Sequence, residues 1–178
     1  MSFLNLITSF AISFALLIIA MTVHEFAHGL VAYKLGDSTA RLSGRLTLNP
    51  LAHIDPFWTI LLPLVLFLSS GGHFLFGAAK PVPINYWALK NPKRDIIWIG
   101  ISGPLANLIL AFIIAQVLKF IPLPGIAAYP LLNLLMINVV LAVFNLMPIP
   151  PLDGSRVLMG LLPAQLSEQY AQLERYGF

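Results

Sequence analysis

Apolar residues run almost unbroken from Leu4 to Val23, from Ile96 to Val117 and from Tyr129 to Leu146. Each run approaches the roughly 20 helical residues needed to cross a bilayer core of about 30 Å, which predicts three membrane-spanning helices. Phe57–Leu68 is shorter and carries Pro63. It suits either a span continuing toward Phe76 or a re-entrant segment shielded by other helices, and a kinked span is expected. Val157–Leu162 is too short to cross. It leads into LSEQYAQLERYGF at the carboxyl end, which reads as an amphipathic surface helix or the approach to a further span.

Between the runs, Ser38–Leu48 reads STARLSGRLTL, an alternation of polar and β-favouring residues around Gly44 that predicts a short hairpin at the membrane interface. Gly71–Pro92 is punctuated by Gly71, Gly72, Gly77, Pro81 and Pro83, and predicts an extended, irregular loop. The first apolar run has no basic leader and no small-residue cleavage site before Gly36, so a retained helix is expected rather than a signal peptide.

Composition agrees with this pattern. The 178 residues are 58% hydrophobic and 10% charged, with a mean hydropathy of +0.87, where soluble domains devote about a quarter of their residues to charge. The expected fold is an all-α polytopic membrane protein: a helical transmembrane core with a short interfacial β-hairpin. Residues 1–178 read as a single membrane-embedded unit that lacks a C-terminal span. With no cysteine, a metal must be held by His, Asp, Glu or Asn. The ten basic residues are scattered through loops without interleaved aromatics, which suits lipid headgroups and argues against nucleic acid. Lys80, Lys90, Lys93, Arg94, Arg156 and Arg175 are assigned to one side, and Lys34, Arg41, Arg45 and Lys119 to the other. That split leaves the orientation open.

The chemistry starts at HEFAH, His24–His28, where the first apolar helix continues toward Lys34. Two His at i and i+4 project from one helical face about 40° apart, so both imidazoles can reach one ion, the zinc-protease arrangement. Glu25 turns about 100° from His24, beside the ion, where it can take a proton from water. The alternative is a pair of polar residues satisfied by neighbouring helices. Three ionisable residues in five positions of a membrane helix cost about 2.5 kcal/mol or more each if unpartnered, which favours function.

Catalytic zinc commonly takes three protein ligands. Glu168 and Glu174 sit in the polar tail, Asp37 and Asp95 at span ends, and Asp55 at the start of the second apolar segment. Asp153 remains. It follows Pro148, Pro150 and Pro151 in NLMPIPPLDG, which must end the preceding helix and can present a carboxylate at a helix break. The alternative makes Asp153 an N-cap for a helix from Ser155. His53 and His73 are left outside the ligand set. Asn107, mid-span, either orients a neighbour at the site or bridges two helices.

These residues resemble the site-2 protease, or M50, family of intramembrane zinc metalloproteases. The resemblance covers nearly the whole chain and is carried by HEFAH, NLMPIPPLDG, GAAKPVPIN from Gly77 to Asn85, and SGPLANL from Ser102 to Leu108. It implies one zinc per chain held by His24, His28 and Asp153, Glu25 as general base, and Asn145 as an oxyanion-stabilising group. It further implies a helical core with the metal below the membrane surface, usually nearer the cytosol. The implied activity is hydrolysis of peptide bonds within or near the transmembrane segments of substrate proteins. A multi-pass protein of a prokaryotic cell membrane is expected, its partners being the bilayer and transmembrane substrates, with no oligomeric state specified.

The GAAKPVPIN loop and the hairpin are expected to hold an unwound substrate by strand addition. A membrane metal-ion transporter is the alternative, but Glu25 has no clear duty in a carrier, whereas a hydrolase needs it. A third reading, an inactive scaffold binding membrane helices, has nothing in its favour.

Overall fold

A computed structural model describes residues 3–173. The first apolar run becomes α1 (Phe3–Lys34), which carries HEFAH in its last third and ends just before Gly36, whose φ of +114° breaks the helix. Among the described residues, three helices are long and apolar enough to cross a membrane: Leu4–Lys34 within α1, Pro92–Phe120 (α4) and Gly125–Asn145 (α5).

No hairpin forms at Ser38–Leu48, and there is no β-strand among the described residues. Instead, one helical turn, α2 (Thr39–Leu42), follows Ser38, and the backbone N–H groups of Arg45 and Leu46 both fold back onto Ala40 O. Side-chain partners win over strand pairing. Buried Asp37 accepts from Thr39 N–H through Oδ1 (2.9 Å) and from Asn85 N–H through Oδ2 (2.7 Å), while Arg45 donates to Ala52 O, Lys80 O and Pro81 O. The alternating pattern fits a compact turn whose polar residues reach into neighbouring loops.

The second apolar segment is re-entrant, not the kinked span expected. Asp55 Oδ1 caps it by accepting from Phe57 and Trp58 N–H. A six-residue π-helical turn, Pro56–Leu61, passes into the eight-residue α3 (Leu62–Ser69), together roughly 21 Å of helix at 1.5 Å per residue. That is short of a bilayer core. The tip packs on α1 through Phe10 and Phe67, whose ring centroids are 5.1 Å apart, and the chain reverses at Gly71 and Gly72, both with positive φ. It returns to its entry point: Ala78 N–H donates to Trp58 O and Lys80 N–H to His53 O.

This return re-sorts the basic residues. Arg45 lies against Lys80, Gly36 against Ala88 and Lys90, and Lys34 and Arg94 flank one groove. All therefore gather at the end of the bundle where α1 finishes and α4 begins. Lys119 lies in the last turn of α4, at the opposite end.

After a short turn at Tyr86–Ala88, α4 (Pro92–Phe120) opens with proline in its first turn, a position where the missing N–H costs nothing. It packs against α1 and α5 (Gly125–Asn145), which also touch each other. The prolines after Asn145 end α5, and α6 (Asp153–Leu161) then lies along α4, followed by α7 (Ala164–Ala171) on α6. The polar tail is thus helical through Ala171, while Glu174 and Arg175 lie outside the described residues. Gly154 allows the return. A Cβ there would meet Leu146 O at 2.2 Å, so a larger residue would push Asp153 away from the end of α5.

Candidate metal centre

HEFAH sits on the face of α1 that packs against α4, and the proline break before α6 brings Asp153 to the same point. His24 Nε2 lies 2.9 Å from Asp153 Oδ2, His28 Nε2 lies 3.0 Å from the same oxygen, and the two Nε2 atoms are 3.0 Å apart. All three residues are buried. Two come from one helix and the third from 129 positions beyond His24. This is the metal-capable cluster found among the described residues.

The far side of each ring sets which nitrogen faces the cluster. His28 Nδ1 is 2.7 Å from the backbone oxygen of Ile99, which can only accept, so Nδ1 carries the proton and Nε2 presents a lone pair. His24 Nδ1 is 2.6 Å from Asn107 Oδ1. The amide orientation of Asn107 is in turn fixed by its Nδ2, which donates to Ala20 O and to Asn138 Oδ1 at 2.6 Å. Asn138 Nδ2 completes the chain at Leu134 O. Both asparagines are fully buried, so a helix-bridging network of amides also orients the His24 imidazole. The two alternatives for Asn107 are one arrangement.

The donor set fits zinc. Ligand bonds of about 2.0–2.1 Å in a tetrahedron place donor atoms roughly 3.3 Å apart, close to the 2.9–3.0 Å found here. Space beside the donors comes from Gly103 on α4: a Cβ there would stand 2.4 Å from His28 Nε2 and 2.7 Å from His24 Nε2. Leu152 occupies the N-cap position of α6, and Asp153 lies in its first turn. The second oxygen of Asp153, Oδ1, lies 3.8 Å from the Arg156 guanidinium.

Glu25 stands next to His24 in sequence but outside the cluster, and its Oε2 accepts from Val82 N–H at 2.8 Å, within the extended Gly77–Asn85 loop. Asn145 is not drawn into the cluster: as the last residue of α5 it donates from Nδ2 to its own helix at Leu141 O (2.9 Å). His53 is buried but donates from Nε2 to Thr47 O, and His73 is exposed; neither joins the cluster. Sequence reasoning missed Asn138, Gly103 and the Val82 amide. An amide in the middle of an apolar span was a signal for Asn138, whereas a backbone N–H leaves none.

Two histidines of an HExxH on a membrane-length helix, meeting a carboxylate from the first turn of α6 at one buried point, are the arrangement of an intramembrane metallohydrolase. The sequence model of peptidase family M50 matches residues 11–127 and 125–175, and the chain belongs to that family. It is 42% identical over 171 residues to "Putative zinc metalloprotease YwhC" of Bacillus subtilis (strain 168), covering 91% of this chain and 74% of that protein. It is 33% identical over 97 residues to Rip2 of Mycobacterium tuberculosis, which bears the same designation, covering 54% of this chain and 36% of that protein. No solved structure matches. The protein is a bacterial membrane protein, a site-2 protease-like zinc metalloprotease acting on protein substrates in the membrane.

Proposed function

We propose that His24, His28 and Asp153 are the zinc ligands and Glu25 the general base of intramembrane peptide hydrolysis. The observation that carries this reading is the convergence of two Nε2 lone pairs and a carboxylate oxygen to within 3.0 Å at a buried point. Zinc bound there supplies a Lewis acid that polarises a peptide carbonyl and acidifies water. Asn107 and the Ile99 carbonyl hold the two imidazoles in the ligating tautomer. The Val82 amide holds Glu25 by one oxygen, and its other oxygen accepts the proton of the attacking water and returns it to the departing amide nitrogen. Asn145 serves as donor to the developing oxyanion, exchanging its bond to Leu141 O for that role.

A transmembrane substrate keeps its amides bonded within its own helix, so it must unwind before a carbonyl becomes accessible. The extended Gly77–Asn85 loop borders Glu25 through Val82, and we assign it to hold the unwound segment by strand addition. The interfacial hairpin expected to share this task does not form. The basic end, with Lys34, Arg41, Arg45, Lys80, Lys90, Lys93 and Arg94, faces the cytosol by the positive-inside rule, with Lys119 opposite. On this reading residues 1–178 form one unit in the bacterial plasma membrane.

The test is Glu25→Gln, which keeps size and removes basicity. The variant keeps parental zinc content and loses cleavage of a single-span substrate; normal cleavage per bound zinc would remove Glu25 from the mechanism.

A further inference from the structure

Between the carboxyl-terminal part of α1 and the first half of α4 runs a groove of about 380 Å³ that the metal centre does not use. Its apolar wall is formed by Leu35, Trp98, Ile101 and Leu105, with Lys34 and Arg94 at the end where α1 stops and α4 starts. Trp98 is 55% and Leu105 48% exposed, so the groove opens sideways from the bundle.

We propose that this groove is a binding site for an anionic phospholipid, its phosphate between Lys34 and Arg94 and an acyl chain along α4. Charge complementarity carries the headgroup. Two cations and no carboxylate line the groove among the described residues. Arg94 Nε lies 3.8 Å from buried Asp95 Oδ1, yet its side chain is 70% exposed and available to a second anion. Depth carries the chain: from Arg94 to Leu105, α4 rises roughly 16 Å, which leads from the headgroup level into the hydrocarbon. Trp98 sits one turn in, where an amphipathic ring favours the interface.

Leu35, Trp98, Ile101 and Leu105 give an acyl chain a continuous apolar wall beneath the two cations. The occupant would lie directly behind the metal centre, because Ser102 in the groove wall has its Oγ 3.3 Å from His28 Nδ1.

The protein has three tryptophans, so Trp58→Phe with Trp87→Phe leaves Trp98 as the reporter. The zinc-loaded protein is placed in phosphatidylcholine vesicles, and brominated phosphatidylglycerol or brominated phosphatidylcholine is titrated in as quencher. Each basic residue near an anionic headgroup strengthens association about fivefold, so half-quenching by the anionic lipid comes at a mole fraction roughly 30-fold lower. Lys34→Gln with Arg94→Gln abolishes that preference at unchanged zinc content, whereas the charge-keeping pair Lys34→Arg with Arg94→Lys retains it. Equal half-quenching by the two lipids overturns the site, as does a preference that survives the Gln pair. Relief of quenching by an equimolar single-span peptide with acidic flanking residues assigns the groove to a protein partner and likewise overturns it.

Discussion

Gly103→Ala puts a methyl group against the metal-capable cluster without substituting any of its three residues. Its Cβ would stand 2.4 Å from His28 Nε2 and 2.7 Å from His24 Nε2 and Cε1, where ordinary contact begins at 3.4 Å, so the rings must retreat by about 1.0 and 0.7 Å. Neither is free to do so. His28 is tied through Nδ1 to Ile99 O at 2.7 Å and His24 to Asn107 at 2.6 Å, and functional geometry tolerates about 0.5 Å. Breaking one such outer bond typically costs 10–100-fold in metal affinity, and here both are strained, so zinc affinity falls by about 100-fold or more. Helix propensity acts the other way, favouring Ala over Gly inside α4 by about 1 kcal/mol. The variant therefore folds and binds zinc poorly. Chelator competition on purified protein measures the affinity, and circular dichroism reports the helix. Parental zinc affinity with normal cleavage would show that Gly103 does not face the donors.

Asn107→Ala removes the acceptor of His24 Nδ1 and lowers zinc affinity about 10–100-fold; Asn138→Leu does so more weakly, although it touches neither metal nor imidazole, and chelator competition ranks the two. Asn145→Ala keeps zinc and lowers kcat by about 100-fold, the worth of one oxyanion donor, and an unchanged kcat removes it from the mechanism. The chain has no cysteine, so Gly44→Cys and Leu123→Cys can be labelled singly in right-side-out vesicles; an impermeant maleimide should reach only the latter. Gly or Pro near the cut site of a single-span substrate speeds cleavage and an unbroken Leu run slows it, read as rates at equal binding.

The three spans and the residues that meet in the metal-capable cluster were legible because each leaves a local mark. Long apolar runs mark α1, α4 and α5, i,i+4 histidines mark one helical face, and three prolines mark the break before Asp153. What escaped depends on partners distant in sequence. Thr39, Arg41 and Arg45 alternate like a strand, but Asp37 is committed to Asn85 and Arg45 to Lys80 and Pro81, so pairing never develops. Pro63 suggested a kink, yet the reversal is made by Gly71 and Gly72 and held by Ala78 on Trp58, which periodicity does not reveal. SGPLANL carried the family resemblance, and its Gly103 and Asn107 shape the space and the tautomer around His24 and His28. Asn145, assigned by resemblance, donates to Leu141 O of its own helix and stands outside the cluster.

The direct test of the account is zinc stoichiometry in Asp153→Ala, beside Glu168→Ala from the polar tail as control. Asp153 is the residue that joins the two ends of the chain at one point, with Oδ2 within 3.0 Å of both imidazoles. Its loss leaves two histidines where catalytic zinc needs three protein ligands, so bound zinc falls well below one per chain and cleavage is abolished, while Glu168→Ala changes neither. A helix cap would lose only about 1 kcal/mol of stability and keep the metal. Full zinc occupancy with normal cleavage in folded Asp153→Ala would contradict the account.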